Sequence, residues 1–470
     1  MQRFLARIFA SWYNNFEPAA ENAADTHTAF ENQRFSHKNI ERLKRYSFEF
    51  QNGAAVYRAY ALFLWYDTYK QASGDDILAF YVLHFLNSAK KLSNERSFFY
   101  RNDVIVKRMA DIYRKKLKVI DTFSFDEFIS SAAHDEEAVA FFVKTKIDLD
   151  DYSEWVIEKC YEKNIPVILK DDFLNVPFNI RHANMISNDI ADKSNIILNY
   201  CVTNNRRNLA LYGLNPRSNA DTKLAEGIYQ RWTALDIDDI YTVVNGLDSC
   251  YESFFENRDK YDVVILVNDL VAVDLIERLK HSDPEYIEKT FFIGSMNSLL
   301  SRLYYPSLTS SSYKQTSGAI MLYRLYELCV KNRNDFGSVN IMLKNYFTSR
   351  DTTANIPFEQ STDCFKLTNR KLNFDSSVEE IETPEIPIMI ESMLSSIDLN
   401  DLKIIGMLIR GKTALEIAES LFMSLSSVKH RMSNLYRLLD VKRKKDFIDT
   451  VKPYINLKYL DDYIKEQSTV

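Results

Sequence analysis

Between Thr413 and Lys444 the chain gathers hydroxyl, amide, imidazole and cationic side chains: Thr413, Ser424, Ser426, Ser427, Lys429, His430, Arg431, Ser433, Asn434, Arg437, Lys442, Arg443 and Lys444. Groups of these kinds hydrogen-bond phosphate oxygens and base edges. Ser427, Lys429, His430, Arg431, Ser433 and Asn434 fall on outward positions of one helix, and Val428, Met432 and Leu435 on its apolar side. Ser424 is placed to cap that helix. Thr413 and Glu416 spell a capping box for the helix before it, and Asp398 and Asp401 do the same one helix earlier. Gly411 ends the first of the three, as glycine does just past a helix C-terminus. A polar and basic helix entered through a tight turn from another helix suits a major groove. Lys442, Arg443 and Lys444 would then lie near backbone phosphates.

The charge pattern agrees. The chain has 470 residues and a formal net charge of −6. From Asp398 to Lys452, eleven Lys and Arg stand against seven Asp and Glu, a local +4, which leaves −10 on the rest. A basic module on an acidic body can neutralise phosphates. Hydrophobic residues at 46% and charged residues at 26% are a globular composition. Only 10 Gly are present, and neither G-x-x-x-x-G-K-S/T nor G-x-G-x-x-G occurs. The seven His form no H-E-x-x-H and accompany no G-x-S-x-G, so an enzyme is not expected, nor any cofactor. Five scattered Cys without a C-x-x-C pair argue against a disulfide framework or zinc site and for reduced thiols in a cytoplasm. Arg3 and Arg7 interrupt the apolar start, which makes a poor signal peptide, and no run reaches the ~20 residues of a membrane span.

The elements ahead of this module alternate. Apolar runs at 78–86, 117–123, 137–144, 165–171, 207–213, 239–244, 261–267 and 289–295 predict strands, separated by amphipathic helices such as YSEWVIEKCYEKN and LVAVDLIERLKH. Strands alternating with helices imply parallel sheets covered on both faces, and so many strands imply two α/β lobes. Residues 1–75 read as a helical N-terminal extension and 76–355 as the two-lobed domain. Residues 356–392, with prolines and acids in SSVEEIETPEIPIMIES, read as a linker, and 393–470 as a small all-α domain.

Two resemblances add to this reading. The segment 396–456 resembles the LuxR/GerE helix-turn-helix through Gly411, Glu416, Ile417, Ala418, Leu421, Ser424, Val428, Lys429, Asn434, Tyr436, Leu439 and Val441, with Ser427 in place of the Thr. Asp401 stands where the family has Glu, Arg431 where it has His, and Leu438 where it has a basic residue. Over about 160–355, KNIPVILKDD, NRRNLALYGLNPRSNADTKLAEGIYQ, YDVVILVNDLVAVDLIERLK, FFIGSMNSLLSRLYYPSLTSSS and VNIMLKNYFTSRDTT follow the order and spacing of the ligand domain of LacI/GalR-type regulators. That domain is a relative of periplasmic sugar-binding proteins.

Together the resemblances imply a periplasmic-binding-protein-like sensor, a C-terminal DNA reader, a homodimer, duplex DNA as partner and a small-molecule effector, without a membrane. They place Lys223, Asn268, Met296 and Asn297 around the ligand. Asn268 reads equally as the cap of the following helix, with Asp269 the stronger candidate for that cap. The family's ligand-gripping Arg is Leu224 here and its Asp is Met296, a loss that disfavours sugars. A more apolar ligand, a protein-interaction surface and a dimer scaffold remain open. A response regulator controlled by phosphorylation or a partner is the alternative. Against it, Leu266 or Val267 occupies the acceptor position, and paired acids on an early strand are missing.

Overall fold

The structure, a computed structural model, describes residues 80–84, 117–120, 139–143, 151–170, 183–216, 218–332, 337–359, 365–373 and 383–468. The extension expected over 1–75 lies outside them. Strands β1 (Phe80–His84), β2 (Leu117–Ile120), β3 (Val139–Val143), β4 (Val167–Lys170), β5 (Ala183–Asn188) and β11 (Asn340–Leu343) form one sheet in the order β11-β5-β4-β3-β1-β2. Strands β6 (Leu209–Leu214), β7 (Ile240–Thr242), β8 (Val263–Leu266), β9 (Phe291–Gly294), β10 (Thr309–Tyr313) and β12 (Asn345–Thr348) form the other, β12-β10-β9-β8-β6-β7. Every neighbouring pair is parallel except β10 with β12. Strands such as LALYGL, VVIL and FFIG are buried along their whole length, because helices cover both faces of a parallel sheet.

The helices of this body are α1 (Asp151–Glu162), α2 (Ile190–Thr203), α3 (Asn219–Tyr229), α4 (Leu247–Asn257), α5 (Asp269–Ser282), α6 (Pro284–Lys289), α7 (Leu299–Leu303) and α8 (Gln315–Lys331). The chain crosses between the sheets three times: through α2, through α8, and directly from β11 to β12. Side chains stitch the crossings together. Asn345 donates from its backbone N to Asp192 Oδ2 (2.9 Å) and from Nδ2 to the Asp189 carbonyl (2.7 Å), while Asp189 N donates to the Leu343 carbonyl (3.1 Å).

All eight strands expected from apolar runs are present. The four others, ANMISN, TSSSY, NIML and NYFT, are too polar or too short to read as apolar runs. β10 is wholly buried despite three serines and a threonine. Two of its hydroxyls are met from far along the chain: Thr309 Oγ1 lies 2.7 Å from Thr353 Oγ1, and Ser310 Oγ donates to Asp269 Oδ1 (2.8 Å), while the buried Ser311 hydroxyl has no partner among the described residues.

The expected linker is corrected. Glu385–Ser396 is a helix, α9, and Pro387, Ile388, Ile390, Met393 and Leu394 are buried along it. Pro384 and Pro387 sit at its cap and first turn, where backbone N–H groups have no intrahelical acceptor, so neither proline breaks it. Upstream, residues 365–373 lie against the second sheet's body, where Thr368 N donates to the Gln230 carbonyl (2.9 Å) and Arg370 Nη1 to the Trp232 carbonyl (3.1 Å). Beyond α9 come α10 (Leu399–Ile409), α11 (Ala414–Leu421), α12 (Leu425–Leu438), α13 (Lys444–Val451) and α14 (Leu457–Ser468). One apolar core runs unbroken from Ala210 and Phe292 through Leu300 and Leu303 to Ile390, Ile404, Ile405, Val428, Leu435 and Leu460.

Candidate functional site

The C-terminal helices are built by the local signals the residues carry. Asp398 accepts from Asp401 N and Thr413 from Glu416 N, and both boxes close reciprocally; Ser424 accepts from Ser427 N. The Thr413 backbone N–H and Lys412 hold the Glu416 carboxyl down at about 2. Gly411 has φ +85° and lets the chain turn from α10 into α11. Ile417, Val428 and Leu435 are fully buried where α11 and α12 cross. Burying each stabilises by roughly 1.5–3 kcal/mol.

This leaves Ser424, Ser426, Lys429, His430, Ser433 and Arg437 exposed along α12 and its cap, with Ser427 and Asn434 half-buried. Arg437 Nη2 donates to Asn434 Oδ1 (2.7 Å). Thr413 is exposed but spent on its cap, and Lys442 is exposed beyond α12.

Three of the cations expected on this surface make contacts within the protein, Arg443 from a side chain that is still 77% exposed. Arg431 Nη1 pairs with Asp398 (2.9 Å) and Asp401 (2.8 Å), bracing the box of α10. Arg443 grips Asp446 through Nε (2.8 Å) and Nη2 (2.7 Å). Lys444 Nζ donates to the Lys412 carbonyl (2.6 Å) just past the end of α10.

The second candidate site lies at the carboxyl ends of β6, β8 and β9, where parallel sheets collect ligands. Asn268 caps α5, accepting at Oδ1 from Leu270 N (3.1 Å) and Val271 N (3.0 Å). Asp269, the expected cap, is instead wholly buried and turned toward the loop after β9. Its Oδ1 accepts from Met296 N (3.0 Å) and Ser310 Oγ, and its Oδ2 from Ser298 N (2.7 Å). Gly294 makes room for it, since a Cβ there would meet Asp269 Oδ1 at 2.3 Å.

The Met296 side chain joins the apolar core, and Leu224 packs in the core on the other side of the sheet. Of the positions expected to touch ligand, Asn297 is exposed, at φ +50°, and its Oδ1 accepts from Arg350 Nη2. Lys223 is half-buried on α3.

Sequence reasoning passed over three further polar groups here. Lys193, 5% exposed, donates from Nζ to the Ser295 carbonyl (2.7 Å). Asp221, also buried, accepts from Asn215 N, and burial pushes its carboxyl up to about 7 against the pull of Ser218, Asn215 and Lys193. Arg350 donates to the Leu308 carbonyl (2.6 Å), and burial draws its guanidinium down to about 10. Arg350 lies in the string RDTT, a signal that was present. Lys193 is a lone lysine on a helix and carried none.

Among the described residues, no cluster of His, Cys, Asp or Glu could hold a metal ion, and no helix is long and apolar enough to cross a membrane. Cys160, Cys201, Cys250 and Cys329 are buried, and none is in a disulfide.

No protein-family model matches the sequence, and no curated protein does. Among solved structures, the chain is similar to a transcriptional regulator CelR–cellobiose complex, at 13% identity over 68% of this chain and 92% of that one, with TM-score 0.46. It is similar to a LacI family transcriptional regulator from Enterococcus faecium with bound ribose (15% identity, 59% and 100% covered, TM-score 0.44). It is also similar to the transcription regulator CcpA of Lactococcus lactis (14% identity, 59% and 99% covered, TM-score 0.42).

Proposed function

We propose that this chain is a DNA-binding transcription regulator, not an enzyme, that works in the cytoplasm as a homodimer. Its helix-turn-helix, α11 and α12, reads duplex DNA, and its two-sheet body is the sensor. The observation that carries this reading is the exposed row Ser426, Lys429, His430, Ser433 and Arg437 on a helix capped and buried on its opposite side. That row stands in the segment with net charge +4 on a chain otherwise at −10. Ser426, Lys429 and His430 lie in the first two turns, the part of a recognition helix that reaches base edges. Arg437 and Lys442 lie toward the backbone. The sensor either closes on a small-molecule effector between its sheets or serves as the dimer scaffold. In both cases it sets the spacing of two α12 helices about one DNA turn apart.

The test is fluorescence anisotropy of the full chain with duplex DNA at rising salt, followed by selection from a random duplex pool. Affinity falling linearly with log salt, and a selected site with two half-sites about 10 base pairs apart, are expected. Failure to bind any duplex at about 50 mM salt overturns the reading. Thermal melting against a metabolite library separates the two sensor roles, because only an effector raises the melting temperature saturably.

A further inference from the structure

The short helix α7 is the seat on which the C-terminal helices are docked. α9 and α14 hold it from two sides. Glu391 of α9 accepts from Leu299 N (3.3 Å) and Leu300 N (2.8 Å). The Leu303 carbonyl accepts from Asn456 N (2.7 Å), Arg302 pairs with Glu466, and the Tyr304 ring lies 6.3 Å from Tyr454. The loop leading into this seat, Ser295–Ser298, follows β9 at the carboxyl end of the second sheet. Its backbone is tied down at four points: Met296 N and Ser298 N to Asp269, Asn297 N to Ser310 Oγ (2.8 Å), and the Ser295 carbonyl to Lys193. A second link runs beside the first. Arg350 donates to Asn297 Oδ1, and the next residue, Asp351, accepts from Tyr459 of α14 and from Ser307 N (2.9 Å).

From this geometry we infer that Ser295–Leu300 together with Arg350–Asp351 is a mechanical relay, through which a change at Asn297 moves the C-terminal helices by way of Glu391 and Tyr459. With the backbone donors of Met296, Asn297, Ser298, Leu299 and Leu300 already spent, the loop cannot take up a shift of Asn297 locally without loosening one of these hydrogen bonds. The shift passes instead to the next groups in contact, which are the Glu391 carboxylate and the Tyr459 hydroxyl. The inference deepens the regulator reading and rests on it for its biological meaning, but the relay itself is a property of the docked helices.

Amide hydrogen exchange on the full chain tests it without an effector. Asn297→Ala removes the side-chain acceptor of Arg350 Nη2. In the otherwise unchanged chain it is expected to speed exchange in α9 and α14 by about tenfold, a size reached by residues in one hydrogen-bond network. In the Glu391→Gln/Tyr459→Phe background, which keeps the shapes but weakens both links, the same substitution is expected to change those rates less than about twofold. An equal effect of Asn297→Ala in both backgrounds overturns the relay, and so does no effect in the first. Should the double background lose its cooperative melt, Glu391→Gln alone and Tyr459→Phe alone replace it, each expected to remove part of the effect. Duplex binding by the unmutated chain is measured in parallel. Its absence would sink the regulator reading, while the exchange rates alone would still decide whether the relay exists.

Discussion

Arg431 and Lys429 lie two residues apart on the same helix, and under the proposed function they do opposite work. Arg431→Met keeps the aliphatic length and removes both ion pairs. The partner Asp398 has a side chain 54% exposed, and that pair contributes about 0–1 kcal/mol. Asp401 is only 10% exposed, and a charge-assisted hydrogen bond of that kind contributes about 1.5–3 kcal/mol. The loss is therefore roughly 2 kcal/mol, or about 4–8 °C in melting temperature for a cooperative unit of 150–250 residues. The slope of log affinity against log salt should not change, because the guanidinium is spent inside the protein. Lys429→Ala should do the reverse. Its melting temperature should hold, and its salt slope should fall by about 0.9, the contribution of one phosphate contact. Scanning calorimetry and anisotropy over a series of salt concentrations supply both readouts. If Arg431→Met lowers the slope as Lys429→Ala does and leaves the melt alone, the arginine releases its aspartates to reach DNA, and the assignment is wrong.

Other outcomes follow from burial. Leu435→Ala empties a fully buried position between α12 and its neighbours and should cost about 2–5 kcal/mol, read from the melt. Asp269→Asn leaves one oxygen to serve three donors and should cost roughly 2–3 kcal/mol; a variant as stable as the parent would show that the loop after β9 is held by other contacts. The pH dependence tests Asp221. Its carboxyl stands at about 7 against an ordinary 3.8, so the native chain binds that proton more tightly than the unfolded chain. Its contribution is therefore whole below about 3.8 and is lost as pH rises through about 7. The melting temperature of the parent relative to Asp221→Asn should accordingly fall between about pH 4 and pH 7. A constant difference would place the carboxyl in contact with solvent.

The C-terminal helices were legible residue by residue because capping is a local device. A hydroxyl or carboxylate meets a backbone N–H three positions away, so Asp398, Thr413 and Ser424 announce helix starts without reference to the rest of the chain. The eight apolar strands were legible for a similar reason: a strand buried on both faces must be apolar unless something distant satisfies it. β10 is that exception, and no local pattern could reveal it. The Ser310 and Thr309 hydroxyls are met by Asp269 and Thr353, and the Thr309 backbone N–H by Thr352, some forty residues away in either direction.

The same distance separates expectation from outcome at the sites. Arg431 reads as a DNA contact until α10 brings two aspartates to it, and Met296 reads as a ligand contact until the fold buries it. Glu391 and its two prolines read as linker, because nothing within ten residues shows the seat of Leu299 and Leu300 that α9 covers. Periodicity and caps, which act within a few residues, were enough to specify helices, strands and the polar face of α12. Which polar groups remain available for a partner was decided only by packing, since buried groups such as Asp269, Lys193 and Glu391 take their partners from segments that the order of residues does not place beside them.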